Sequence, residues 1–240
     1  MGCEPPWFIA NQTCPYGSAC TWPYTDFTVP AEPTLADRVA VCYIILPVVI
    51  QLCLVFLVIA RRHAIEILWI LFTALVVLVA LLVKCLAEQP RPRSCLLSCG
   101  MPSGHSCYAV GLFSVALWDS AVRNELPQRE RTLRAVALAV LLLPVPWAQV
   151  RLGDHSVVQA FAGASLGVVG AVLWIITIGP WCEVFLESYL IPAMDRVCCT
   201  PFLDSSMAAN LEPVLDLSLL ELTSDVSARN VTLQHHPEGL

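Results

Sequence analysis

Apolar runs alternate with short polar breaks along most of the chain, and the runs have the length of helices that cross a bilayer. Positions 39–60 and 64–83 each hold about 20 apolar residues, which at about 1.5 Å per residue matches a hydrocarbon core about 30 Å thick. Pro47 lies inside the first run, where a membrane helix tolerates it. Only Arg61, Arg62 and His63 separate the two runs, so they form a helical hairpin. A third run at 105–122 is less apolar and contains Ser106, Ser114 and Asp119. The stretch 123–134 is the most charged of the chain and is expected to be a loop. A fourth run at 135–147 is distorted at its end by Pro144 and Pro146. After a polar interruption at 150–159, a fifth run covers 160–178, where Gly163, Gly167 and Gly170 permit close approach of a neighbouring helix. The pattern predicts an all-α, polytopic membrane helix bundle of about five spans.

The flanks differ from this core. Residues 1–37 form a polar head rich in Pro, Thr and Cys, expected to be irregular, and lack the form of a signal peptide. The membrane domain covers 38–179. The remaining 180–240 is a tail with an interfacial helix at 182–196, a short amphipathic helix at 211–222 and a candidate palmitoylation site at Cys198 and Cys199.

Composition supports the membrane assignment: 57% of residues are hydrophobic and 13% charged, against about a quarter charged in a soluble domain. A net charge of −6 argues against nucleic acid as a partner. Several of the twelve cysteines lie in apolar runs, so they do not form a disulfide framework as a set, and no Cys/His spacing suggests zinc. Arg61 and Arg62 fall on the same side as the basic stretch 123–134, which places both in the cytosol. The head, 84–105 and 150–159 then share the opposite side. The Asn11-Gln12-Thr13 sequon fits that orientation, and the Asn230 sequon in the cytosolic tail goes unused. Cys3, Cys14, Cys20, Cys95 and Cys99 would face an oxidising compartment. Cys95 can pair with Cys99 or with a head cysteine, or these thiols stay free.

Two stretches break the apolar pattern with chemistry. The first carries Lys84, Arg91, Arg93, Ser103 and His105, and the second Arg151, Asp154 and His155. Such groups are costly near hydrocarbon and mark functional sites. Lysine supplies a point charge and arginine a planar donor fork for phosphate oxygens. Gly104 lets backbone N–H groups approach an oxyanion at the start of a helix. Of two histidines, one neutral imidazole can attack while the other, protonated, supplies a proton to a leaving oxygen. No Asp/Glu cluster suggests a magnesium site, so no metal or other cofactor is expected.

These stretches resemble the type 2 phosphatidic acid phosphatase superfamily, whose pattern is Lys-x6-Arg-Pro, then Pro-Ser-Gly-His, then Ser-Arg-x5-His-x3-Asp. Lys84, Arg91 and Pro92 match the first element, and Pro102, Ser103, Gly104 and His105 the second. Aligning the third on His155 puts Ala148, Gln149 and Gln159 where the family has Ser, Arg and Asp. The chain looks most similar to the dolichyldiphosphatase branch, over 35–179. The resemblance implies hydrolysis of a dolichyl or other polyprenyl diphosphate at the lumenal face of the endoplasmic reticulum, recycling the carrier for N-glycosylation. In that scheme His155 attacks phosphorus, giving a phosphohistidine, and His105 protonates the departing lipid phosphate. Lys84, Arg91, Ser103 and the Gly104 backbone hold the phosphoryl oxygens, Arg151 helps in place of the absent arginine, and Gln159 orients His155. The alternatives are a phosphatase for another lipid phosphate (phosphatidate or a sphingoid phosphate) and a phosphatase-like protein with impaired catalysis.

Overall fold

The computed structural model describes residues 3–22, 25–122 and 127–198. The amphipathic helix expected at 211–222, the Asn230 sequon and Cys199 lie outside them. Helix α1 (Pro6–Ile9) opens the chain and is followed by an antiparallel hairpin of β1 (Gly17–Trp22) and β2 (Thr25–Pro30), in which Ala19 lies opposite Thr28 and Trp22 opposite Thr25. The head is therefore partly ordered as a sheet rather than irregular. Thr25, Phe27, Thr28 and Val29 are residue types that suit a pleated surface, and Thr25, Phe27 and Thr28 are buried.

The bundle follows as α2 (Leu35–Arg61), α3 (Ala64–Ala87), α4 (Gly104–Val122), α5 (Gln128–Leu142), α6 (Pro144–Arg151) and α7 (Val157–Leu173). Helix α2 starts at a reciprocal cap: Thr34 Oγ1 accepts from the Asp37 N–H, and the Asp37 carboxylate accepts from the Thr34 N–H. Arg62, in the left-handed conformation, ends it. Four helical segments are long and apolar enough to cross a membrane: Leu35–Arg61, Ala64–Ala87, Gln128–Arg151 and Val157–Met194. Together they make a polytopic bundle. Leu52, Phe56, Ile59, Leu82, Phe161 and Val169 stand exposed on its outside, as a hydrocarbon surround requires.

The third expected span forms as α4 but is not among those four. It is the inner helix, with Cys107, Ala109 and Ala116 fully buried. Burial by protein on several sides, not by lipid, explains its lower apolarity. Against it α3 lays a stripe at helical spacing, Leu68, Phe72, Val76 and Ala80, in one core cluster with Cys107, Val115, Ala171 and Trp174. The glycines of α7 do allow close approach: a Cβ on Gly163 would fall 2.3 Å from the Ser103 carbonyl oxygen and one on Gly167 2.4 Å from that of Cys107. The backbones of α4 and α7 are thus in contact at the start of α4, where the Ser103 N–H donates to the Gln159 carbonyl at 3.0 Å.

Two boundaries move. The expected loop at 123–134 is helical from Gln128, so Arg129, Arg131 and Arg134 lie in the first turns of α5. The chain also stays helical past Pro180: a π-helical stretch (Trp174–Ile178) leads into α8 (Gly179–Phe185), and a second (Leu186–Leu190) into α9 (Ile191–Cys198). Pro180 falls at the start of α8 just after the wider π turns, where a missing N–H disrupts least. The segment from Pro192 onward is a unit separate from 1–191.

Candidate active site

At one end of the bundle, four separate segments meet. They are the last turn of α3 with Lys84, the loop 88–103 with Arg91, the first turn of α4 with His105, and the loop 152–156 with His155. Lys84, Arg91 and His105 all act electrostatically on His155, so the cationic groups expected from sequence gather here.

His155 is 2% exposed and held at both ring nitrogens. Its Nδ1 lies 2.8 Å from the Gly100 carbonyl oxygen and its Nε2 lies 3.2 Å from Arg91 Nη1. A carbonyl only accepts and a guanidinium only donates. Both neighbours therefore select the same neutral tautomer, with the proton on Nδ1 and a lone pair on Nε2. Burial, then the positive charges of Arg91, Lys84 and His105, hold the imidazole pKa well below its ordinary value, and the Gly100 carbonyl opposes that. The ring is neutral at neutral pH, as a nitrogen nucleophile must be.

Arg91 is aimed by Ser98. Its Nε donates to the Ser98 carbonyl at 3.1 Å, and its Nη2 to Ser98 Oγ at 3.1 Å. Nη1 faces His155 and the Asp154 carbonyl at 3.4 Å. Burial lowers the Arg91 pKa, the carboxylates of Asp154 and Asp26 act against that, and the group stays cationic. Ser103, fully buried, caps α4, with Oγ accepting from the Ser106 N–H at 3.3 Å. Beside it, a Cβ on Gly104 would meet nothing within 4 Å, so space lies open at the N-terminus of α4. His105 Nε2 lies 2.8 Å from Thr25 Oγ1 of the hairpin.

Behind the histidines a buried polar knot ties head, loop and site together. Asp154 is fully buried, and its carboxylate accepts from Thr28 Oγ1 at 2.7 Å, Ser94 Oγ at 2.6 Å and the Thr28 N–H at 3.0 Å. Thr28 Oγ1 in turn accepts from the Cys95 N–H at 2.9 Å. Two disulfides, Cys3–Cys99 and Cys14–Cys95, join the head to the loop 88–103. They settle the open pairing in favour of head to loop. Cys99 stands between Ser98, which aims Arg91, and Gly100, which holds His155.

Two expected site residues act elsewhere. Arg151 donates from Nε to Asp37 at 2.7 Å and from Nη2 to Thr34 Oγ1 at 3.2 Å. It braces the cap of α2 and does not enter the cluster. Gln159 does not bond the His155 ring. Its Oε1 accepts from the Ser156 N–H at 3.1 Å, completing the capping box of α7, while its Nε2 donates to Pro90 at 3.0 Å and Gln89 at 3.2 Å. Gln159 packs so tightly on Gly100 that a Cβ there would lie 2.7 Å from Oε1, so it supports the loop whose carbonyl orients His155. Asp154 points into the knot and away from the imidazole beside it.

Sequence reasoning missed Ser98, the Gly100 carbonyl, Thr25, Thr28 and Ser94. The Ser156-x-x-Gln159 signature of a capping box was present and would have assigned Gln159. Ser98 acts on Arg91 seven residues away through its carbonyl and hydroxyl, Gly100 acts through a backbone carbonyl, and Thr25, Thr28 and Ser94 act across 60 or more residues, as with the 80 between Thr25 and His105. Comparison of the chain with protein-family models, curated proteins and solved structures finds no match.

Proposed function

We propose that the protein is a lipid diphosphate phosphatase of the type 2 phosphatidic acid phosphatase kind, hydrolysing a polyprenyl diphosphate through a phosphohistidine. The reading puts the site at the lumenal face of the endoplasmic reticulum, where the released monophosphate re-enters N-glycosylation. The observation that carries it is the double restraint on His155. Gly100 fixes the tautomer, and Arg91 Nη1, 3.2 Å from Nε2, sets a fixed cation beside the nitrogen that an anionic group would approach. Lys84 and Arg91 supply cationic charge to the phosphoryl oxygens, Ser103 a hydroxyl and the Gly104 backbone an N–H at a helix start. His155 Nε2 attacks the terminal phosphorus, and the bond to the bridging oxygen breaks as His105 gives that oxygen a proton. Water then displaces His155 and returns the proton to His105.

With Arg151 committed to Asp37, Gln149 is the residue left to complete the cradle. It is 1% exposed, and its Nε2 has no hydrogen-bond partner among the described residues. A buried unpaired amide costs about 1–3 kcal/mol, a cost that a bound oxyanion would remove. Val145 packs in one cluster with Tyr108, Ala109 and Leu112 of α4. Helix α4 starts and α6 ends at the site, so one turn on from Val145 puts Gln149 level with His105.

The test is phosphate release from polyprenyl diphosphate by purified protein in detergent with chelator present, alongside phosphatidate and sphingosine phosphate. Release well above His155→Ala, with the polyprenyl substrate preferred, is expected. Release no greater than that variant sinks the enzyme reading, and preference for phosphatidate or sphingosine phosphate replaces the substrate.

A further inference from the structure

We propose that the N-terminal hairpin belongs to the catalytic apparatus, with Thr25 holding His105 at Nε2 so that Nδ1 is the nitrogen that exchanges the proton. This rests on the phosphatase reading above and adds to it a residue outside the motif segments.

Thr25 is 4% exposed, and its hydroxyl lies 2.8 Å from His105 Nε2. No described residue bonds Nδ1. A protonated imidazole donates from both nitrogens, and a hydroxyl oxygen has lone pairs to accept one of those bonds. Thr25 therefore accepts from Nε2–H of the protonated ring, and on this proposal it keeps that role when the ring is neutral, which selects the Nε2–H form over the one in which the hydroxyl would donate. Only Nδ1 then changes its proton. The two histidines become complementary: His155 is fixed through Nδ1 and reacts at Nε2, whereas His105 is fixed through Nε2 and reacts at Nδ1.

Thr25 is well placed to act as a fixed reference. Three residues on, Thr28 makes two hydrogen bonds to the buried Asp154, next to His155 in the chain. The disulfide Cys14–Cys95 ties the segment just before the hairpin to the loop. One strand thus sets the positions of both histidines. Lys84 and Arg91 act on His105 from close by, so an acceptor on Nε2 offsets part of the repulsion that its protonated form meets there. In the forward step the Nδ1 proton passes to the bridging oxygen, which takes the electron pair of the breaking P–O bond while the His155 Nε2 lone pair forms the N–P bond. In the second step a water proton passes to Nδ1, water oxygen bonds phosphorus, and the N–P pair returns to Nε2.

The experiment is a pH profile of kcat and KM for Thr25→Val and Thr25→Ser. Removing the hydroxyl at constant shape lowers kcat about 10- to 100-fold, with KM within about twofold, and moves the alkaline limb down by about one pH unit. Thr25→Ser restores both. A Thr25→Val protein with the wild-type rate and limb overturns the proposal, as does a folded Thr25→Ser that behaves like Thr25→Val. A second measurement does not depend on how Thr25→Val folds. In wild-type protein carrying 15N-histidine, with His105 assigned by difference from His105→Asn, neutral His105 is expected as the Nε2–H tautomer. The Nδ1–H tautomer overturns the proposal. Wild type no more active than His155→Ala overturns the phosphatase reading instead, and the tautomer measurement then still decides whether Thr25 accepts from Nε2.

Discussion

The two ends of the bundle hold polar groups of similar kinds in very different ways. At the site end, two disulfides join the segment before the hairpin to loop 88–103, and hydrogen bonds of Asp154, His155, Arg91 and His105 join the hairpin, that loop, α4 and the loop 152–156. At the other end a buried carboxylate, Asp119, takes a 2.6 Å bond from Trp69 Nε1, one helix bracing its neighbour. The difference lies in what is held. The Trp69 pair fixes two helices that pack anyway. The site-end network fixes loops, which have no packing of their own to hold a side chain at a set angle. Preorganised groups in a dry site are also what phosphoryl transfer needs.

Substitutions should therefore act on chemistry at one end and on stability at the other. The largest effect is expected from Arg91→Ala. On the proposed mechanism Arg91 faces the attacking nitrogen and binds developing charge, so its loss should lower kcat/KM about 10²–10³-fold, measured as phosphate release. A loss under threefold would mean that the Arg91–His155 contact has no part in the reaction. Cys99→Ser comes next. Removing a native disulfide costs about 2–5 kcal/mol, and here it frees the residue between Ser98 and Gly100, so activity should fall along with the unfolding temperature in detergent. A lower unfolding temperature with unchanged activity would show that the loop holds its shape without the staple.

The pH profile sharpens the comparison in a different way. His155 has a folded pKa below its ordinary value of 6.5, so the neutral ring persists below that pH. The acid limb of kcat/KM that reports His155 should lie under pH 6.5. The stability linked to this residue should be complete above its unfolded pKa and decline as pH falls toward the folded one. An acid limb above pH 6.5 would contradict the restrained neutral ring. Arg151→Ala should change kcat/KM less than about threefold, because the guanidinium braces α2. As a partly exposed pair it should cost about 0.5–1 kcal/mol of stability. The smallest effect on turnover is expected from Trp69→Phe. It removes a bond to a carboxylate worth about 1.5–3 kcal/mol and should leave phosphate release unchanged.

The motif stretches showed in the sequence because their residues are costly in an apolar chain. Lys84, Arg91, Ser103, His105 and His155 do gather at one end of the bundle. Two expectations failed because adjacency in sequence does not give side-chain direction. Arg151, two residues from Gln149, points to the cap of α2. Gln159, four from His155, uses its amide on its own helix start and on the loop 88–103.

By itself, then, the sequence determined the helical membrane architecture and the main catalytic candidates. Run length and the cost of burying charge are local properties, and local properties survive in a string of residues. Tertiary structure decided the inner place of α4, the pairing of Cys3 with Cys99 and Cys14 with Cys95, the use of a Gly100 carbonyl to orient His155, and the reach of Thr25 to His105. Each of these depends on which distant segment fills the space beside a residue. A backbone carbonyl, moreover, belongs to every residue type and leaves no mark in the sequence.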